Sequence, residues 1–163
     1  MKKSILLLIT VMLVGAPPIF AQSLPTHSSE IATSISYLYY KEPSVMKERG
    51  MMYGVAGDYA YHNTIMLKAQ ARAGFGQVDY KGTGTINDIN EYLLELRGLA
   101  GLDCKVFEST TLTPYTGFGF RYLNDDSSGQ VSTTGKVGYE RESHYFYSPV
   151  GIETSMELEN NWS

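Results

Sequence analysis

From Ile65 to Phe75 the chain alternates with period two: Ile65, Leu67, Ala69, Ala71, Ala73 and Phe75 occupy odd positions, and Met66, Lys68, Gln70, Arg72 and Gly74 the even ones. Successive side chains of a β-strand point to opposite faces, so this stretch predicts a strand with one apolar face and one that carries Lys68 and Arg72. Few folds accommodate such a strand. It needs an apolar medium on one side and a polar, enclosed place for two cations on the other. A membrane-spanning barrel strand, with lipid outside and a tight polar lumen inside, meets both demands.

The rest of the chain extends the pattern. Ile31–Tyr40 alternates Ile31, Thr33, Ile35, Tyr37 and Tyr39 with Ala32, Ser34, Ser36, Leu38 and Tyr40. Met51–Tyr61 sets Met51, Tyr53, Val55, Gly57, Tyr59 and Tyr61 against Met52, Gly54, Ala56, Asp58 and Ala60. The opening stretch extends to Tyr80 as a third strand. A fourth opposes Tyr92, Leu94, Leu96, Ala100 and Leu102 to Leu93, Glu95, Arg97, Leu99, Gly101 and Asp103. The fifth, Leu112–Leu123, opposes Thr116, Phe118, Phe120 and Tyr122 to Tyr115, Gly117, Gly119 and Arg121. A sixth runs from about Tyr139 to Met156, with Pro149 marking a bulge or break because it lacks a ladder donor. Trp162, after an Asn160-Asn161 turn, reads as the start of a seventh. In the fourth strand, as from Ile65 to Phe75, charge falls on one face only. The expected fold is all-β, an antiparallel up-and-down transmembrane barrel with about eight strands when complete, so the chain reads as truncated at its C-terminus.

Connections are expected to alternate in length. Lys41–Gly50, Lys81–Asn90 and Asn124–Lys136 are polar and long enough to be extracellular loops. The turns after the even strands are short, His62-Asn63 with Asn at positive φ among them. Met1–Ala21 has two lysines, an apolar run too short to span a bilayer as a helix, and a small residue at its end, which describes a secretory signal peptide cleaved near Ala21. Residues 22–163 then form one domain, opened by a polar lead-in from Gln22 to Ser29.

Composition excludes several classes. Without Lys2 and Lys3, eleven basic residues face seventeen acidic ones, a balance that offers no clustered cations to nucleic acid. A single cysteine, Cys104, rules out an internal disulfide, and in a strand it is a small apolar residue.

Alternation alone leaves two barrels open. A soluble periplasmic barrel of lipocalin type would turn Ile65, Leu67, Phe118 and Phe120 inward around an apolar ligand and leave Lys68, Arg72, Glu95 and Arg97 in water. Three features favour lipid. The polar face is crowded with Ser, Gly and Ala, which suit a narrow interior. Aromatics gather at two levels: Tyr37, Tyr39, Tyr53, Phe75, Tyr92, Phe120, Tyr122 and Phe146 toward the long loops, and Tyr59, Tyr61, Phe107 and Trp162 at the other end, like the girdles of two membrane interfaces. The polar-face charges can also pair as a lumenal structural network. Counting from the turns puts Asp58 near Lys68 and Glu95 near Arg121, with Arg72 and Arg97 beside them. Facing lipid, these four basic residues would cost about 2 to 4 kcal/mol each near the midplane.

Tyr53-Gly54-Val55, Tyr115-Thr116-Gly117-Phe118-Gly119-Phe120-Arg121-Tyr122, and Gly138-Tyr139-Glu140-Arg141-Glu142 leading to Tyr147-Ser148-Pro149-Val150-Gly151 are similar to strand segments of barrel-domain proteins. Over nearly all of the mature chain, the architecture resembles the small eight-stranded outer-membrane barrels of the OmpA/OmpX type. The resemblance implies residence in the outer membrane of a Gram-negative cell, insertion by the outer-membrane assembly machinery, and contact with outer-membrane lipid. It implies no activity. It also implies a final strand ending in an aromatic residue, a pattern from which Trp162-Ser163 departs.

Chemistry is sparse. His27, His62 and His144 are scattered, and no metal-binding spacing or cofactor motif exists, so neither metal nor cofactor is expected. Asn124-Asp125-Asp126 reads as a solvated loop ahead of a weak calcium site. An enzyme built at the extracellular rim would draw on Asp125, Asp126 and His144 with Ser127 or Ser128 as nucleophile, but nothing sets a base against either serine. The porin-like alternative is expected to be plugged by side chains. The expected function is therefore non-enzymatic, structural or surface-interactive through the loops, with an unknown extracellular partner.

Overall fold

The structure is a computed structural model that describes residues 5–6 and 26–156. Most of the expected signal peptide, the lead-in from Gln22 to Pro25, the Asn160-Asn161 turn and Trp162 lie outside the described residues. Among the described residues nine strands form one antiparallel sheet: β1 (Ile5–Leu6), β2 (His27–Glu42), β3 (Met46–Asn63), β4 (Ile65–Lys81), β5 (Thr85–Leu102), β6 (Cys104–Phe107), β7 (Thr110–Asp126), β8 (Glu140–Tyr147) and β9 (Val150–Met156). Some of them are segments of a single line. β5 and β6 pair with β7 in one register, Gly101 with Tyr115 and Cys104 with Leu112, interrupted at Asp103. β8 and β9 likewise share one register on the other side of β7, Tyr147 with Gly119 and Val150 with Thr116. Pro149 therefore breaks the sixth expected strand without inserting a residue, because the proline lacks only the N–H that the ladder needs there.

Main-chain pairing thus gives an up-and-down meander, β2 to β3 to β4 to β5/β6 to β7 to β8/β9, curled into a half-barrel. Tight glycines bend it. A Cβ on Gly117 would lie 2.0 Å from the carbonyl oxygen of Gly98 on the neighbouring strand, an approach that no other residue tolerates. Among the described residues, the far side of β8/β9 has no strand partner, and the far side of β2 pairs only with β1, at Tyr40 and Lys41.

The two faces separate as the alternation predicts. Ile65 and Leu67 are about half exposed, 52% and 54%, and Phe118 is 81% exposed, while Arg72 is 8% and Glu95 2% exposed. The small and charged residues occupy the concave side and the apolar ones the convex side. Within the concavity, toward the end that carries the 43–45 and 82–84 turns, Leu38, Met52, Val78, Ile89 and Leu93 pack into an apolar cluster.

The connections differ from expectation. β2 runs to Glu42 and β3 starts at Met46, so the expected loop Lys41–Gly50 is a three-residue turn, 43–45, with Ser44 at φ 63°. Lys81–Asn90 likewise shrinks to 82–84, and the irregularity lies inside the strands, where the register shifts between Val78 and Tyr80. Only 127–139 is long. Outward positions turn charged past the aromatic level (Lys41, Lys47, Arg49, Asp79), which gives these segments the composition of loops. The backbone nevertheless keeps pairing, as Glu48 with Tyr80 and Arg49 with Asp79 show. At the opposite end, β2 begins at His27, inside the expected lead-in, and Thr64, not Asn63, carries the positive φ of the β3–β4 turn. The short connection between the fourth and fifth expected strands, 105–110, is mostly β6 and the start of β7, so the chain reverses at 108–109.

Candidate functional site: the enclosed polar network

All six residues expected to form the lumenal network, Asp58, Lys68, Arg72, Glu95, Arg97 and Arg121, project into the concavity. Glu95 is its hub. Register places it directly across from Arg121 on β7 and from Arg72 on β4. Arg121 donates to Glu95 Oε1 at 2.5 Å, Arg97 to Oε2 at 2.8 Å, and the Tyr147 hydroxyl to Oε1 at 2.5 Å. The hydroxyl in turn accepts from Arg97 Nε at 2.9 Å. Tyr147 fits there because its register partner is Gly119, where a Cβ would press on its ring at 2.3 Å. Both guanidinium groups sit over the Tyr147 ring, at 6.0 and 5.6 Å from its centroid. One carboxylate thus holds two cations and a phenol, the charge-assisted arrangement that a buried charge requires.

Lys68 keeps its expected ion pair with Asp58, at long range, and adds a closer one. Ala60, not Asp58, is its register partner, and Asp58 Oδ2 stands at 3.8 Å. Its close contacts are with Glu153 on β9, at 3.0 and 3.1 Å. That bond crosses the concavity between strands that are not neighbours. Arg72 donates to Ser36 Oγ at 3.0 Å, and no carboxylate lies within salt-bridge distance of it among the described residues.

Two further groups were not foreseen in the sequence. At the end nearest the β3–β4 turn, His62 is buried and not a surface residue, its Nδ1 3.0 Å from Asp103 Oδ2, while Thr113 donates to Asp103 Oδ1 at 2.7 Å. Asp103 interrupts the β5–β6 line at that point. At the opposite end, Arg141 donates to Asp125 at 2.6 Å and to Glu48. Glu91 is 4% exposed beside them and has no hydrogen-bond or ion-pair partner among the described residues. These four lie past the aromatic end of the belt at Tyr53, Phe75 and Tyr92, on the side where the outward positions include Gln77 and Asn90 and then Arg49 and Asp79. Burial raises the Glu91 carboxyl to about 8, with repulsion from Asp125 and Glu48 adding to it and Arg141 opposing. Burial also raises Glu48 to about 7 against the pull of Arg141, and shifts Asp125 upward.

The rim residues considered for catalysis are otherwise engaged. Ser127 Oγ donates to the Tyr139 carbonyl and accepts from the Tyr139 amide, and Asp126 accepts from the Ser128 amide. His144 points outward against Phe120 and Tyr122, on the opposite face from Asp125. The would-be calcium ligands are engaged in the same way: Asn124 donates to Glu140 and Asp125 accepts from Arg141. The 127–139 loop folds down on the β4–β5 turn, with the Thr133 amide donating to the Thr85 carbonyl and Thr134 Oγ1 to the Thr83 carbonyl.

Comparison with protein-family models, curated proteins and solved structures found no match.

Proposed function

We propose that the chain is an integral outer-membrane β-barrel protein of a Gram-negative cell, with a structural or surface-interaction role and no catalytic one. It is delivered by a signal peptide cut near Ala21 and inserted by the outer-membrane assembly machinery. The observation that carries this reading is the inversion of the usual protein plan. At the level of the belt the charges of the network are turned inward and held in ion pairs or hydrogen bonds, while Ile, Leu, Ala, Val, Phe and Tyr are turned outward.

The dimensions agree with the reading. On β4 the outward apolar positions run from Ile65 to Phe75, eleven residues that cover about 25 Å of bilayer at roughly 3.3 Å each and about 45° tilt. Tyr53, Phe75 and Tyr92, adjacent in register and exposed, end the belt on the loop side, as interfacial aromatics do. In water, so large an apolar surface would be an aggregation site. The ion pairs that cross the concavity support an interior that is plugged rather than conducting. The folded 127–139 loop, seated on the 82–84 turn, is the part available to an extracellular partner.

Cell fractionation tests the proposal. The mature protein is expected in the outer-membrane fraction, released only by detergent. Recovery of folded protein in the soluble periplasm would overturn it.

A further inference from the structure

We propose that Glu91 is a proton-binding site that latches the loop end of the sheet, holding it closed while the carboxyl is protonated and loosening it when the proton leaves. The proposal stands on the cluster's geometry and not on where the barrel resides. Four strands converge on one point: Glu48 from β3, Glu91 from β5, Asp125 from β7 and Arg141 from β8. Three carboxylates therefore surround one guanidinium, and Arg141 gives hydrogen bonds to Glu48, Asp125 and the Met46 sulfur but none to Glu91.

Glu91 borders a small, partly open cavity of about 100 Å3. Other charged or titratable groups around that space are Tyr40 on β2, Arg121 on β7 and Tyr145 on β8. β4 contributes none at this level, since Gly76 is the register partner of Glu91. Leu38 and Leu93, members of the apolar cluster, form part of the same wall. A carboxylate there would be desolvated, unpaired and repelled by two others. A metal ion could balance the charge, but among the described residues no group of three His, Cys, Asp or Glu side chains is arranged to hold one. A proton meets the same need without a coordination shell.

The direction of the linkage follows from the raised value. Between its ordinary value of 4.5 and about 8, the folded protein holds a proton that the unfolded chain has lost. This group's contribution to stability therefore falls as pH rises through that interval and levels off above it. Above pH 8 the lost proton leaves through the cavity to solvent, and the third negative charge pushes against Glu48 and Asp125. Asp125 lies two residues before Ser127 and Arg141 two after Tyr139, so the strain falls on the closure of the 127–139 loop.

Infrared titration of the full chain folded in lipid or detergent reads the proton directly. A protonated-carboxyl carbonyl band is expected at pH 6, with a component that disappears with a midpoint near 8 and is absent in Glu91→Gln. If the wild type shows no such component, or Glu91→Gln keeps it, the proposal fails. Trypsin cleavage after the exposed Lys136 reads the latch: relative to Glu91→Gln, which cannot ionise, wild-type cleavage should rise several-fold as pH passes 8. Identical pH dependence in the two proteins would show that Glu91 holds no latch. Should Glu91→Gln fail to fold, Glu48→Gln separates the two raised carboxyls: a component with a midpoint near 8 that persists in it belongs to Glu91, and its loss there overturns the proposal.

Discussion

Replacing Glu95 by Gln removes the one negative charge that Arg97 and Arg121 share, while keeping the side chain's size. Glu95 is 2% exposed, and its two oxygens accept from both arginines and from the Tyr147 hydroxyl. Glutamine retains one acceptor oxygen and adds two N–H donors that would point at guanidinium groups. Breaking a buried ion pair from one side typically costs about 3 to 5 kcal/mol, because the remaining charge is left uncompensated. Here two cations are orphaned, and Arg72, the other register partner of Glu95, adds a third nearby, so the upper part of that range is expected. The assay is urea unfolding of the protein folded in detergent, followed by the gel-mobility difference between folded and unfolded barrels. Adding Arg121→Gln to Glu95→Gln should recover about half of the loss, since the pair is removed together. A loss below about 1 kcal/mol, the size of a solvent-exposed pair, would refute the idea of an enclosed interior organised on Glu95.

Two other substitutions probe curvature and face. Gly117→Ala puts a methyl group against the backbone of Gly98 and Leu99, at 2.0 and 2.9 Å, where neither neighbour can yield; a loss of about 1 to 3 kcal/mol is expected from overpacking in the same unfolding assay. Leu67→Arg places a cation on the apolar belt and should abolish stable insertion, whereas Gln70→Arg, directed into the concavity beside Asp58, should be tolerated better; equal outcomes in a membrane-integration assay would mean that the faces are assigned wrongly.

The residues differ in how far the sequence revealed them. Face assignment was legible because period-two alternation is a local property, so Ile65 and Lys68 could be sorted without knowing any partner. The Glu95–Arg121 contact was also legible, since the two are register neighbours across one hairpin and counting from the turn suffices. Lys68 and Glu153 are 85 residues apart and meet only because the sheet curls, a property that no local pattern contains. Loop lengths misled for a different reason. Lys41, Glu42, Lys47, Glu48 and Arg49 have loop composition, yet main-chain hydrogen bonding is indifferent to side-chain charge and the strands continue past the belt. That error concealed the Glu48, Glu91, Asp125 and Arg141 cluster, although Glu48 and Glu91 fall on the inward face once the alternation is carried on through the charged segments. The burial of His62 is hidden in the sequence because His62-Asn63 has the composition of a turn, whereas β3 continues through both residues and Thr64 carries the positive φ.

The claim on which the rest depends is that the outward face of β4 meets lipid. It is tested most directly by spin labels placed one at a time from Ile65 to Phe75 in the lipid-reconstituted protein, after the exposed Cys104 is replaced by serine. Collision with oxygen, which concentrates in the bilayer, and with a water-soluble nickel complex is then measured at each site. Labels at Leu67, Ala69, Ala71 and Ala73 should be accessible to oxygen and shielded from nickel, while those at Lys68, Gln70 and Arg72 should be immobile and poorly accessible to both. Free access of nickel to the odd positions would place that face in water and contradict the account.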